Sequence, residues 1–259
     1  MEIRSSNLTR YILPLREGGS LPALVEAADG FKYVLKFKGS GHKEKSVIAE
    51  FLGGEIARQL GFKVPELVFL HLDEAFGRTE GDEEIQDLLK WSQGLNLGVH
   101  FLSGAINYDP NVMKIDEATA SKIVWLDAFM TNVDRTAKNT NMLMWHHELW
   151  LIDHGSSFYF HHHITDLEKQ AQTPFSYIKD HIFLAQCTQI EKADQALKPL
   201  LTNGFIEDLV QTIPEEWLVW DPDKSPDDLR AVYARFMQVR RDASDLFIKE
   251  IQHARAHLI

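Results

Sequence analysis

The stretch Val133-Asp134-Arg135-Thr136-Ala137-Lys138-Asn139, with residues 140–155 behind it, constrains this chain more than any other. A helix-spaced apolar face (Ile123, Val124, Leu126, Met130) precedes it within Glu117–Met130. Two short segments, Asn141–Trp145 and Glu148–Ile152, then flank a polar pair, His146-His147, which predicts a β-hairpin although the tip lacks glycine. In an antiparallel hairpin, residues equidistant from the tip face each other. Asn139 precedes the first strand and Asp153 follows the second, so both emerge at one end. Opposed residues lie roughly 4.5–5.5 Å apart at Cα, close enough for an amide oxygen and a carboxylate to share one hard cation. Magnesium prefers oxygen ligands and usually takes one or two carboxylates plus substrate phosphates. Asp134 opens the loop near the same end, where it can orient an attacking hydroxyl. Asp and Asn beside strands also serve as turn-formers and caps, so the geometry alone leaves a structural reading open.

The preceding part of the chain reads as strands at Tyr11–Leu15, Leu21–Ala27 and Phe31–Phe37, with a hairpin signal at Asp29-Gly30. Lys43–Leu60 has helical periodicity, with Val47, Ile48, Phe51, Leu52, Ile56 and Leu60 on one broad face, and Gly61 as its stop. Leu67–Leu72 reads as a further strand. Gly18-Gly19-Ser20 falls between two strands, where free backbone N–H groups can approach phosphates. Lys36 lies in an apolar strand and needs a partner or an aqueous face; Glu50 on the next helix is the candidate. Lys38 shares that strand face by period two and competes for the role, but Leu35 and Phe37 favour Lys36. The alternative is an edge-strand lysine and a simple turn. Asp73–Asp87 is polar and acidic, like a linker or surface loop, and from Glu117 the chain is mainly helical, ending in an amphipathic run over Ser225–Ile259. Strands with one helix followed by helices predict an α+β protein of two lobes: an N-lobe over 1–75, a linker or surface loop over 76–95 and a C-lobe over 96–259.

With 259 residues, 44% of them hydrophobic, the chain can bury the core of one large domain or two lobes. A net charge of -11 argues against a nucleic-acid partner, which calls for a basic field. Cys187 stands alone, so no internal disulfide forms, which suits a reducing cytoplasm. Residues 1–9 have no apolar core of signal-peptide type, and no segment is apolar enough to span a bilayer, so a cytoplasmic protein without membrane partners is expected. His146, His147, His154, His161, His162 and His163 suggest zinc at first sight. Zinc needs converging ligands, whereas neighbouring strand residues point to opposite faces, so structural or surface roles are preferred.

A glycine loop, a strand lysine, a helix glutamate, a loop Asp and Asn, then a metal-binding Asp is the order found in kinases. Residues Glu17–Val25, Tyr33–Phe37, Ala49–Leu52, Leu60–Pro65, Asn132–Asn139, Leu151–Gly155 and Ile213–Leu218 together resemble HipA-like kinases. These share the protein-kinase-like fold and a D-R-x-x-x-N loop like that of phosphoinositide kinases. The resemblance implies ATP and Mg2+ as cofactors, with Gly18, Gly19 and Ser20 at the phosphates and Lys36 contacting them while paired with Glu50. It also implies Asp134 as the base-like residue, Asn139 and Asp153 as magnesium ligands, and Arg135 as a steadying group for loop or substrate; a surface salt bridge is the alternative for Arg135. Thr136 replaces a histidine common in relatives, and Asp153-His154-Gly155 replaces the D-F-G of ordinary protein kinases. The implied acceptor is Ser or Thr of a protein, the alternatives being a small-molecule kinase or a nucleotide-binding pseudokinase. Relatives are inferred to switch off when a serine near the glycine loop is phosphorylated. Ser20 is the hydroxyl placed for this, or for binding a nucleotide phosphate.

Overall fold

Alternation along Lys32–Lys36 and its flanks buries Tyr33, Leu35 and Phe37 and leaves Val34, Lys36 and Lys38 on the opposite, half-buried face. The buried set fills a closed barrel in a computed structural model that describes residues 2–15, 21–41, 43–77 and 82–258. Its strands are β1 (Ser5–Pro14), β2 (Ala23–Ala27), β3 (Lys32–Lys36), β4 (Leu67–Leu72) and β5 (Gly94–His100). They run in the order β1-β2-β3-β5-β4, and a parallel pairing of β1 with β4 closes the ring. Val25, Tyr33, Leu35, Val68 and Leu70 form the interior with Ile85, Leu88 and Leu89 of helix α2 (Glu83–Trp91). Gly98 leaves the space that Leu70 occupies: a Cβ there would lie 2.4 Å from Leu70 Cδ1.

Among the described residues up to 72 the strand and helix assignments hold, except that β1 starts at Ser5 and not at Tyr11, whereas the stretch read as a linker or surface loop, 76–95, differs. It carries α2 and the first residues of β5, and a boundary at residue 95 cuts a strand that pairs with both β3 and β4. Acidic composition hid an amphipathic helix whose apolar residues, Ile85, Leu88 and Leu89, are few but fall on one face.

Helix α1 (Lys43–Gln59) lies in the larger of the two cores, with the outer faces of β4 and β5 and the helices that follow. Those are α3 (Glu117–Met130), α4 (Leu167–Ala171), α5 (Ile190–Leu197), α6 (Asn203–Gln211), α7 (Pro226–Asp242) and α8 (Ser244–Ala256). α3 is buried along nearly all of its length, capped by Asp116 and ended by Thr131 in the left-handed region (φ 56°). The amphipathic C-terminal run is two helices that meet at Ala243. The hairpin forms as read: β7 (Met142–Trp145) pairs with β8 (Glu148–Leu151), Met142 opposite Leu151 and Trp145 opposite Glu148. His146 (φ 49°) and His147 (φ 63°) take the left-handed conformations a two-residue tip requires. A short strand, β6 (Ile106–Asn107), adds to β7. Among the described residues, no helix is long and apolar enough to cross a membrane.

Candidate active site

The hairpin delivers Asp153 to the foot of β3, while Asn139, at the same open end, contacts Asp134. Asp153, in the left-handed region at φ 55°, follows β8, and its Oδ1 accepts a hydrogen bond from Lys36 Nζ at 2.7 Å. Glu50 Oε2 stands 4.0 Å from the same ammonium, and the Glu50 side chain is buried. Burial alone would lower the pKa of Lys36, but the charges of Glu50 and Asp153 outweigh it and raise it. Burial pushes the Glu50 carboxyl upward against the pull of Lys36. For Asp153 burial also acts upward, yet the adjacent ammonium wins and holds it below the ordinary carboxylate range. Two carboxyl groups thus share one lysine, and burial displaces Glu50 toward its neutral form while Asp153 stays ionised.

Strand register, not the apolar flanks, brings Lys36 here: Leu35 and Phe37 point into the barrel. Lys38, on the same strand face, is engaged elsewhere. Its Nζ pairs with Glu216, whose Oε2 also accepts the Leu95 N–H at 2.9 Å. The neighbouring Trp217 donates its Nε1–H to Leu95 O at 2.7 Å and packs edge-on against Phe51 and Phe69. The Ile213–Leu218 element, to which the sequence assigned no role, therefore docks the helical part onto the barrel and α1.

Asp134 Oδ2 accepts Nδ2–H bonds from Asn139 at 2.7 Å and Asn141 at 3.1 Å. Burial raises the Asp134 pKa and the charge of Asp153 adds to it, while both asparagine amides oppose. Asn141, read from the sequence only as a strand residue, also has its Nδ2 3.5 Å from the Asp153 carbonyl oxygen, so it bridges the two ends of the hairpin. Its left-handed backbone (φ 50°) suits asparagine, but nothing in its spacing announced that contact. Arg135 is fully buried, which excludes the surface salt bridge: Nε donates to Asp127 Oδ2 at 2.6 Å and Nη1 to the Asn141 carbonyl.

His154 packs beneath this site with no exposed surface, and burial lowers its pKa to about 3, so the ring is neutral. Its Cβ would lie 2.5 Å from a Cβ added at Gly53 of α1. Gly53→Ala is therefore expected to destabilise by about 1–3 kcal/mol, because neither helix nor strand end can give way cheaply. A fall in Tm of several degrees in scanning calorimetry checks it. The other histidines do not converge with it: His161 Nδ1 bonds Tyr233 Oη at 3.0 Å, and His146 and His147 are exposed. Among the described residues, no group of three or more His, Cys, Asp or Glu side chains is arranged to hold a metal. The oxygen donors at the hairpin end are the carboxylates of Asp153 and Asp134 and the amide of Asn139. That set suits magnesium, which leaves much of its coordination to phosphate and water, better than zinc.

Above Asp153 lies a cavity of about 460 Å³. Lys36, Glu50 and Asp153 form its polar end, and Val34, Val99, Leu143 and Ile152 its apolar walls. Leu15 and Pro22 also line it and are joined by a 2.7 Å backbone hydrogen bond. Gly18, Gly19 and Ser20, between them in sequence, lie outside the described residues.

The fold is similar to that of a solved Helicobacter pylori proinflammatory kinase, CtkA, with a TM-score of 0.59 at 13% identity, covering 97% of this chain and 99% of that one. A Neurospora crassa PAN3 pseudokinase mutant is also similar, at 14% identity and a TM-score of 0.32, over 97% of this chain and 68% of that one. No curated protein matches the chain. The sequence profile of the HipA-like kinases matches residues 9–250, nearly the whole length. The chain belongs to the HipA-like kinase family.

Proposed function

We propose that this protein transfers the terminal phosphoryl group of ATP, with magnesium, to a serine or threonine hydroxyl of a protein. The observation that carries this is Lys36, held between Glu50 and Asp153 at the polar end of an apolar-walled cavity, within reach of the Asp134 loop. The walls formed by Val34, Val99, Leu143 and Ile152 suit a planar base. Lys36 then faces the phosphates, and Glu50 keeps its ammonium directed into the cavity. The flanks of residues 16–20 line the same cavity, which supports contact of Gly18, Gly19 and Ser20 with the phosphates. Asn139 and Asp153 would hold Mg2+, which when bound neutralises phosphate charge.

Phosphoryl transfer demands alignment and charge neutralisation more than covalent chemistry. Asp134, oriented by two asparagine amides, accepts the proton of the acceptor hydroxyl as its oxygen bonds to phosphorus and ADP departs. Arg135, buried behind the loop, steadies it. Ala137, Lys138 and Asn139 are exposed, so the acceptor side of the loop opens outward, which favours an acceptor presented on a large molecule over an enclosed small one.

Incubation of the purified protein with radiolabelled ATP and magnesium, with and without cell lysate, tests the reading. Label on protein is the expected result; nucleotide-stabilised folding without transfer would mean a binding module. In the same assay Lys36→Met is expected to weaken ATP affinity by about tenfold or more, as loss of a charge-assisted contact to phosphate implies. Lys38→Met, which breaks only the contact with Glu216, is expected to change affinity less. The reverse ranking would place the nucleotide elsewhere.

A further inference from the structure

Behind the loop lies a buried polar hub of which the chemistry above uses only Arg135. Asp127 of α3 has no solvent exposure. Its Oδ1 accepts the Asn132 Nδ2–H at 2.9 Å, and its Oδ2 accepts Arg135 Nε–H at 2.6 Å and His181 Nε2–H at 2.9 Å. The His181 tautomer follows from its other nitrogen: Nδ1 accepts the Phe183 N–H at 3.0 Å, so the ring proton sits on Nε2. The segment carrying His181 is also fastened to the loop through its backbone, with Ile182 N–H donating to Arg135 O at 3.1 Å and a bridge between Thr136 and His181.

Two arms run from Asp127 to Asp134. Along one, Asn132 Oδ1 accepts the Asp134 N–H at 3.1 Å. Along the other, Arg135 Nη1 donates to the Asn141 carbonyl, and Asn141 Nδ2 donates to Asp134 Oδ2 at 3.1 Å. One arm fixes the backbone of Asp134 and the other its carboxylate. A buried carboxylate gripped by three donors has one orientation, and losing a donor frees it to turn about its terminal torsion.

We propose that Asp127 and His181 are positioning residues that hold the Asp134 carboxylate at the angle phosphoryl transfer needs; this rests on the function proposed above. His181 links that angle to the segment following Asp180, outside the hairpin and outside every motif of the sequence. Misplacement of a reacting group by about 1 Å costs on the order of 100-fold in rate, and nothing in the hub touches the nucleotide cavity.

The test is a pair of shape-matched variants. His181→Asn keeps an acceptor for Phe183 N–H but is too short to reach Asp127; His181→Gln reaches Asp127 with its amide and drops the Phe183 bond. The expected result for His181→Asn is a fall in kcat of about 10- to 100-fold with an unchanged KM for ATP. His181→Gln is expected to recover most of the lost rate. Wild-type kcat in the Asn variant, equal losses in both, or a fall in kcat matched by weaker ATP binding would each overturn the proposal. A second readout needs no turnover: the side-chain amide resonances of Asn139 and Asn141 in nitrogen-15 spectra should move in His181→Asn and stay in His181→Gln. If the wild type transfers no phosphate, the functional reading fails, and unmoved amide resonances alone overturn the hub. A third needs no variant: an Nδ1–H tautomer of His181 in the wild-type imidazole spectrum overturns it as well.

Discussion

Asp134→Asn is expected to slow phosphoryl transfer by about 10²–10⁴-fold, the usual contribution of a positioned acid or base, with nucleotide affinity nearly unchanged. The substitution preserves volume, and its amide oxygen can take the place of Oδ2 and still accept both asparagine N–H bonds. It removes the carboxylate that, in the proposed function, takes the hydroxyl proton. Asp153→Ala should behave differently. It deletes the carboxylate that bonds Lys36 and that would hold magnesium, so magnesium-dependent ATP binding should be lost, not merely turnover. Titration calorimetry with ATP and magnesium separates the two: binding heats retained in Asp134→Asn and absent in Asp153→Ala. Equal loss of binding in both variants would dissolve this division of roles.

The second large effect is on stability. Trp217→Ala should destabilise by about 3–5 kcal/mol, the cost of emptying a large, fully packed aromatic site. For a chain of this size that corresponds to a drop in Tm on the order of 10 °C. Trp217 has no exposed surface and its ring meets Phe51 of α1 and Phe69 of β4. Its indole N–H is also satisfied by Leu95 O, so truncation leaves that carbonyl short of a partner. Trp91, 65% exposed, is the internal control, and Trp91→Ala should stay within about 0.5 kcal/mol. Because Phe51 adjoins Glu50, Trp217→Ala should also raise the KM for ATP, an effect absent from Trp91→Ala. Calorimetric melting and steady-state kinetics on the two variants check both halves.

The hairpin and its open end were legible from sequence because their cause is local. Period-two alternation, a two-residue tip and equal strand lengths put Asn139 and Asp153 at one end whatever surrounds them. The Lys36–Glu50 pairing was legible through order along the chain, although the reason offered for Lys36 over Lys38 was not the one the fold uses. Both lysines leave the same face of β3; Lys36 reaches Glu50 and Asp153, whereas Glu216, far along the chain, holds Lys38. The linker or surface-loop reading of 76–95 differs from the fold over 83–95 because β5 owes its place to pairing with β3 and β4, and composition near it is dominated by the acidic surface of α2. Asn141, Asp127 and His181 were invisible for a related reason: each is an ordinary polar residue until tertiary contacts bring its partner within 3.1 Å.

By itself, then, the sequence determined the elements whose cause is short-ranged: the hairpin, the early strands, α1, and through their order the family. Tertiary structure alone decided which side chains meet across elements. It seated Trp217 on α1, turned Lys38 to Glu216 and Lys36 to Asp153, and buried Asp127 with Arg135 and His181 behind the loop. The division is physical: local periodicity is set by backbone geometry within a few residues, whereas a buried charge is tolerable only where distant segments converge to supply its partners.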